Sequence, residues 1–173
     1  MKKSVLLIFF ASLIMSSCDK AKIDVDFNLN LADVYFKIDT TSTTGNVELG
    51  AATFTSTLQQ ELDDHDASLD DVESIEVSSV EIDNLSSQSF DEVASAYSYL
   101  TVPGMADQRI AYKDPVPDGT SYLNMDIDAV NLKDYLSQPT LGFKLTGNLS
   151  APNTQADSLK VRMSFKVHAT VQP

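Results

Sequence analysis

From Leu159 to Val171 the chain alternates without a break. Leu159, Val161, Met163, Phe165, Val167, Ala169 and Val171 are apolar, and Lys160, Arg162, Ser164, Lys166 and His168 stand between them. Successive side chains of a strand point to opposite faces, so this period of two builds a strand with one dry face and one wet face. The same pattern runs through Ile23, Val25, Phe27, Leu29 and Leu31, after which the apolar parity flips to Val34, Phe36 and Ile38. A flip requires a bulge, a bend or a turn. No Gly or Pro stands at Ala32-Asp33 to make a tight hairpin, so a bulge or bend is expected. A second flip, at Ser78-Ser79, separates Ile75 and Val77 from Val80 and Ile82.

Weaker strand signals cover Asn46 to Phe54, Tyr97 to Val102 and Arg109 to Tyr112, the last closed by the turn Pro115-Val116-Pro117-Asp118-Gly119. Leu123, Met125 and Ile127 alternate as one strand. Leu141 to Leu149 forms another, with Gly147 a bulge candidate inside it. Helical signals are short. Leu58 and Leu62 sit at i, i+4 in a helix expected from Ser56 to about Asp66, and Ser68-Leu69-Asp70-Asp71 reads as a capped turn. Ser89-Phe90-Asp91-Glu92 matches a capping box and predicts a helical turn. Asn131 to Leu136 reads as one more turn, with Leu132, Tyr135 and Leu136 facing inward. The pattern predicts an all-β fold: an antiparallel, immunoglobulin-like β-sandwich of about seven to nine strands with short helical connections. One domain over 23–173 is expected, with no internal repeat.

Cys18 is the only cysteine, so no internal disulfide forms. It follows a positive start, Met1-Lys2-Lys3, an apolar run from Val5 to Met15, and the small residues Ser16-Ser17. That run is too short to span a bilayer, so residues 1–17 read as a removable signal segment and 18–22 as a short tether. Removal leaves 156 of 173 residues and ten basic against 25 acidic side chains, a formal charge of −15. Such a balance argues against nucleic acid, whose affinity rests on Lys and Arg neutralising phosphates, and against a broad dock onto anionic lipid.

Catalytic constellations are poorly supported. There is no G-x-S-x-G elbow, no HExxH and no other paired-histidine spacing; His65 and His168 are the only histidines, both expected at the surface. The densest acidic run, Glu61 to Glu73, makes Asp63, Asp64 and Asp66 a weak calcium candidate, but they fan over a wide arc of a helix and no glycine helps a loop wrap a cation. A solvated acidic face is the simpler reading, and no metal or cofactor is expected. Tyr97, Tyr99, Tyr112, Tyr122 and Tyr135 fall close together in the chain. Tyr97 and Tyr99 share one strand face; filling the core with their hydroxyls at the rim is the simpler reading, and a platform for a sugar or a protein is the alternative. Arg109 either clamps an anionic ligand or pairs with an aspartate.

The stretch Ile14-Met15-Ser16-Ser17-Cys18 resembles a bacterial lipobox, with Met15 where Leu is commonest. The resemblance to Gram-negative lipoproteins covers the first 18 residues. It implies acylation of Cys18, a permanent tether to a membrane of the cell envelope, foremost the outer membrane, and a domain held close to the bilayer. The mature region is similar in pattern to small β-sandwich lipoproteins of such bacteria. These readings predict a non-enzymatic binding or interaction module for an unknown protein or glycan partner. A structural or envelope-assembly component and a small hydrolase are the alternatives.

Overall fold

The computed structural model describes residues 22–31 and 33–171. In chain order the elements are β1 (Ile23–Asn30), β2 (Val34–Ile38), β3 (Gly45–Thr55), α1 (Leu58–Asp64), a 3-10 turn (Leu69–Asp71), β4 (Val72–Asn84), β5 (Val93–Thr101), β6 (Gln108–Lys113), β7 (Tyr122–Asn124), β8 (Asp126–Ile127), α2 (Lys133–Leu136), β9 (Thr140–Leu149) and β10 (Asp157–Val171). They make two antiparallel sheets. The first has the order β1-β10-β4-β7, with β2 also on β10; the second has the order β3-β9-β5-β6-β8. This is the all-β sandwich that the alternation predicts. The count reaches ten because Leu123, Met125 and Ile127 belong to two strands, not one: β7 pairs with β4 and β8 pairs with β6. Met125 is the crossing point between sheets. It is buried, its N–H donates to the Val80 carbonyl at 3.0 Å, and its Sδ accepts from the Ser98 hydroxyl at 3.0 Å.

The first parity flip is a one-residue change of register along β10. β1 pairs with β10 from Ile23↔Val171 to Asn30↔Ser164, and β2 continues along the same strand from Val34↔Val161 to Ile38↔Asp157. The two segments lie end to end, and each turns its own apolar set inward: Phe27 and Leu29, then Val34, Phe36 and Ile38. The second flip is a bulge. Ser79 faces Ser164 and Val77 faces Phe165, so Ser78 is the extra residue, and Ile75, Val77, Val80 and Ile82 all reach the interior.

Both sheets contribute to one buried cluster. Phe165, Ile75 and Leu29 come from the first, and Phe143, Leu141, Leu100 and Ile110 from the second; all are fully buried. Phe36 and Phe143 meet across the layer with ring centroids 5.9 Å apart. Each such side chain contributes about 1.5–3 kcal/mol on leaving water, which replaces the support that a disulfide would give.

Three local expectations are corrected. The helix expected from Ser56 is confined to Leu58–Asp64, because Ser56 lies outside it and bridges two elements: its hydroxyl accepts from Leu58 N–H at 3.3 Å and donates to the Leu136 carbonyl at 2.7 Å. Ser89-Phe90-Asp91-Glu92 forms a turn and no helix. The Ser89 hydroxyl donates to Asp91 at 2.6 Å and so does not cap a helix, and the other Asp91 oxygen accepts from Gly119 N–H at 2.6 Å. Gly119 has φ +70°, which glycine adopts without strain, and so presents its N–H to Asp91. Gly147 is not itself a bulge. The register shifts lie on its neighbours, between Glu48 and Gly50 and between Val93 and Ser95. A Cβ at Gly147 would sit 2.7 Å from Leu49 Cδ1 and 3.1 Å from the Ser95 carbonyl oxygen, so glycine there admits the side chain of the bulged Leu49.

Gly147→Ala overpacks this contact and is expected to lower stability by about 1–3 kcal/mol, read as an earlier denaturant midpoint with an unchanged slope. An unshifted midpoint refutes the close-packing account. The Asp91 carboxyl is held below its ordinary value of 3.8, first by the Ser89 hydroxyl and then by Gly119 N–H. A lowered carboxylate stabilises the fold above that ordinary value and loses its effect as pH falls through the folded-state value. Asp91→Asn therefore melts below the wild type at about pH 6, and the gap closes towards about pH 2. A gap that is constant with pH contradicts this.

Candidate functional site

Strand β5 turns Ala96, Ser98 and Leu100 into the core and leaves Tyr97 and Tyr99 half-buried on the outer face of the second sheet. The core placement that the sequence favoured for these tyrosines does not hold, because the alternate residues Ala96, Ser98 and Leu100 fill the interior. Cross-strand pairing then assembles their surroundings. Thr146 and Tyr112 flank Tyr97, and Lys144 and Arg109 flank Tyr99. Arg109 and Tyr112 differ in parity and would face opposite sides of a regular strand. Ser98 faces Ala111 while Tyr99 faces Arg109, so Ile110 is an extra residue. Ile110 and Ala111 are both fully buried, and Arg109 and Tyr112 come to share the outer face.

The guanidinium of Arg109 lies 5.3 Å from the ring centroid of Tyr112 and 6.0 Å from that of Tyr97. Lys144 Nζ lies 5.2 Å from that of Tyr99. At partly exposed sites each such contact is worth about 0.5–1 kcal/mol. Both cations are also paired. Arg109 donates from Nε and Nη2 to the two oxygens of Asp128 at 2.6 and 3.1 Å, and Lys144 bonds Asp107. These hydrogen bonds raise the pKa of Arg109 and of Lys144 against the opposing effect of desolvation. The aspartate expected for Arg109 is thus Asp128, supplied just beyond β8. The Tyr97 hydroxyl reaches Asp114 at 3.4 Å.

An open groove of about 580 Å³ runs over this face, lined by Asn46, Glu48, Tyr97, Tyr99, Arg109 and Thr146, with Val47 as its aliphatic contribution. The sequence-predicted platform residues Tyr97, Tyr99 and Arg109 are therefore together. Asn46, Glu48 and Thr146 were not singled out in the sequence; they come from β3 and β9, and only long-range pairing places them here.

The other candidates lie apart. Asp63, Asp64 and Asp66 are exposed on and just after α1, and Asp63 accepts from its own helix neighbour Gln59 at 2.8 Å. Among the described residues, no three His, Cys, Asp or Glu side chains are grouped to hold a metal ion. His65 stacks on Phe27 with centroids 4.3 Å apart, and His168 Nδ1 lies 2.6 Å from Asp26. A smaller polar cleft of about 330 Å³, at the end where β10 begins, is lined by Gln88, Ser89, Glu92, Asn153, Gln155 and Asp157. Tyr122, on β7 of the first sheet, and Tyr135, whose hydroxyl donates to the Ala106 carbonyl at 2.7 Å, lie outside the groove. Cys18, the signal segment and the start of the tether lie outside the described residues. Among the described residues, no helix is long and apolar enough to cross a membrane. No family model matches the chain, and no curated protein matches it.

Because Asp63, Asp64 and Asp66 diverge, millimolar calcium is expected to leave the melting temperature unchanged. A cation bound to the native state must raise it, so a rise that Asp64→Asn abolishes would restore the calcium reading.

Proposed function

We propose that this protein is a lipid-anchored, non-enzymatic binding module of the bacterial cell envelope, tethered through Cys18 and engaging its partner with the outer face of the second sheet. One observation carries the reading: Tyr97, Tyr99 and Arg109, with Tyr112 beside them, converge on a single exposed groove. Partly exposed aromatics held by packed strands present contact area with little conformational freedom left to lose. Both histidines are engaged by neighbours outside the groove, which favours binding over hydrolysis.

The direction of the groove agrees with a tether. Ile23 pairs with Val171 at one end of the first sheet. Gly45 and Leu149 pair at one end of the second, and Leu149 shares a crevice with Ile38 and Asp157, at the opposite end of the first. Asn46 and Thr146 therefore lie in the half of the sandwich remote from Ile23. A chain anchored at Cys18 offers this face to the medium and not to the bilayer.

Fractionation tests both parts. The wild type partitions with membranes, and Cys18→Ala moves a folded protein to the soluble fraction. In crosslinking on intact cells, Tyr97→Ala loses the captured partner without losing the membrane fraction. Membrane retention of Cys18→Ala refutes the anchor, and an unchanged capture by Tyr97→Ala refutes the groove.

A further inference from the structure

We infer that the groove takes a neutral carbohydrate; this rests on the binding role proposed above and names its ligand class. The charges on this face exclude two alternatives. An anionic ligand needs an available cation, yet Arg109 is held in a two-point bond by Asp128 and Lys144 is held by Asp107. It would also meet the carboxylate of Glu48 in the groove wall. A cationic ligand needs open aromatic faces, yet Arg109 already lies 5.3 and 6.0 Å from the rings of Tyr112 and Tyr97, and Lys144 lies 5.2 Å from that of Tyr99. A second cation on these rings is repelled by the first.

What remains is a surface for an uncharged molecule with alternating polar and C–H patches. Val47 alone supplies aliphatic lining, too little to anchor an apolar side chain of a peptide. Hydroxyl partners are plentiful. The Asn46 amide and the Thr146 hydroxyl donate and accept, Glu48 accepts, and Arg109 keeps three of its five N–H groups after Asp128 takes two. The half-buried rings of Tyr97 and Tyr99, two residues apart on one strand, offer apolar contact to the C–H side of a pyranose. The volume of about 580 Å³ suits a short oligosaccharide and falls within the usual range of small-molecule sites. The open shape admits a chain that enters and leaves along the sheet.

The test uses the full-length protein, solubilised in a detergent without a sugar headgroup, on an array of neutral, sialylated and sulfated oligosaccharides with a peptide array beside it. Retention of neutral glycans is the expected result. Tyr97→Ala and Tyr99→Ala each weaken it about tenfold, the loss of one aromatic contact, with a circular dichroism spectrum that shows the fold intact. Asp128→Asn releases Arg109 and shifts the preference towards sialylated and sulfated glycans, a change that a merely structural aspartate does not cause. A wild type that prefers anionic glycans, or binds peptides alone through the tyrosines, overturns the carbohydrate assignment and leaves the binding role standing. A wild type that binds nothing on either array, and whose cell-surface capture is unaffected by Tyr97→Ala, overturns both.

Discussion

Strand β10 is hydrogen-bonded along one side to β4 and along the other to β1 and then β2. Only β7, a three-residue edge, belongs to the first sheet without touching it. The register of the whole layer is therefore set by one strand, and that strand tolerates no slip. A shift of one residue would exchange Leu159, Val161, Met163, Phe165 and Val167 for Lys160, Arg162, Ser164, Lys166 and His168 at the core face. The outer side adds a second constraint. In a chain so rich in carboxylates, β10 carries the basic residues and its neighbours carry the acids: Lys160 meets Asp33, Arg162 meets Glu81 and Asp83, and Lys166 and His168 meet Asp26. Exposed pairs of this kind stabilise little, because water and salt screen them. Their placement matters more than their strength, because acids directly opposite one another would repel and the interposed cations separate them.

The second sheet inherits its position from the first by packing, as Phe36 against Phe143 illustrates. Its own outer face is left to chemistry. The groove stands on strands, not on loops, so its tyrosines are fixed by the same alternation that buries Ala96, Ser98 and Leu100 beneath them. Aspartates aim the two cations, and the cations in turn lie against the rings. The result is a face whose charges are largely used internally.

Much of this was legible in the sequence, and what was not has a common cause. Alternation revealed the long strands, and the parity flips marked the change of register between β1 and β2 and the bulge at Ser78. The alternation of Leu123, Met125 and Ile127 misled because it records which side is apolar, not which sheet supplies the partner. The Ser89 box misled because the Ser89 hydroxyl goes to Asp91, which Gly119 holds from a turn remote in sequence. In the site, Tyr97 and Tyr99 could be paired at i, i+2. Tyr112 could not be joined to Arg109, since the bulge at Ile110 has no marker in residue type. Asp128, Lys144 and Glu48 arrive only through pairing between strands far apart in the chain, which local pattern does not encode.

The seam between β1 and β10 also fixes an order of events. Asp26 and His168, joined in the folded protein, are 142 residues apart. As the chain leaves the ribosome, β1 and β2 have no partner in their sheet until β10 has been made, and β4 has only the three-residue β7 before then. The first sheet therefore cannot close before β10 emerges, whereas the second sheet pairs without it. Closure of the first sheet is slowed by the entropy of joining strands so far apart in the chain.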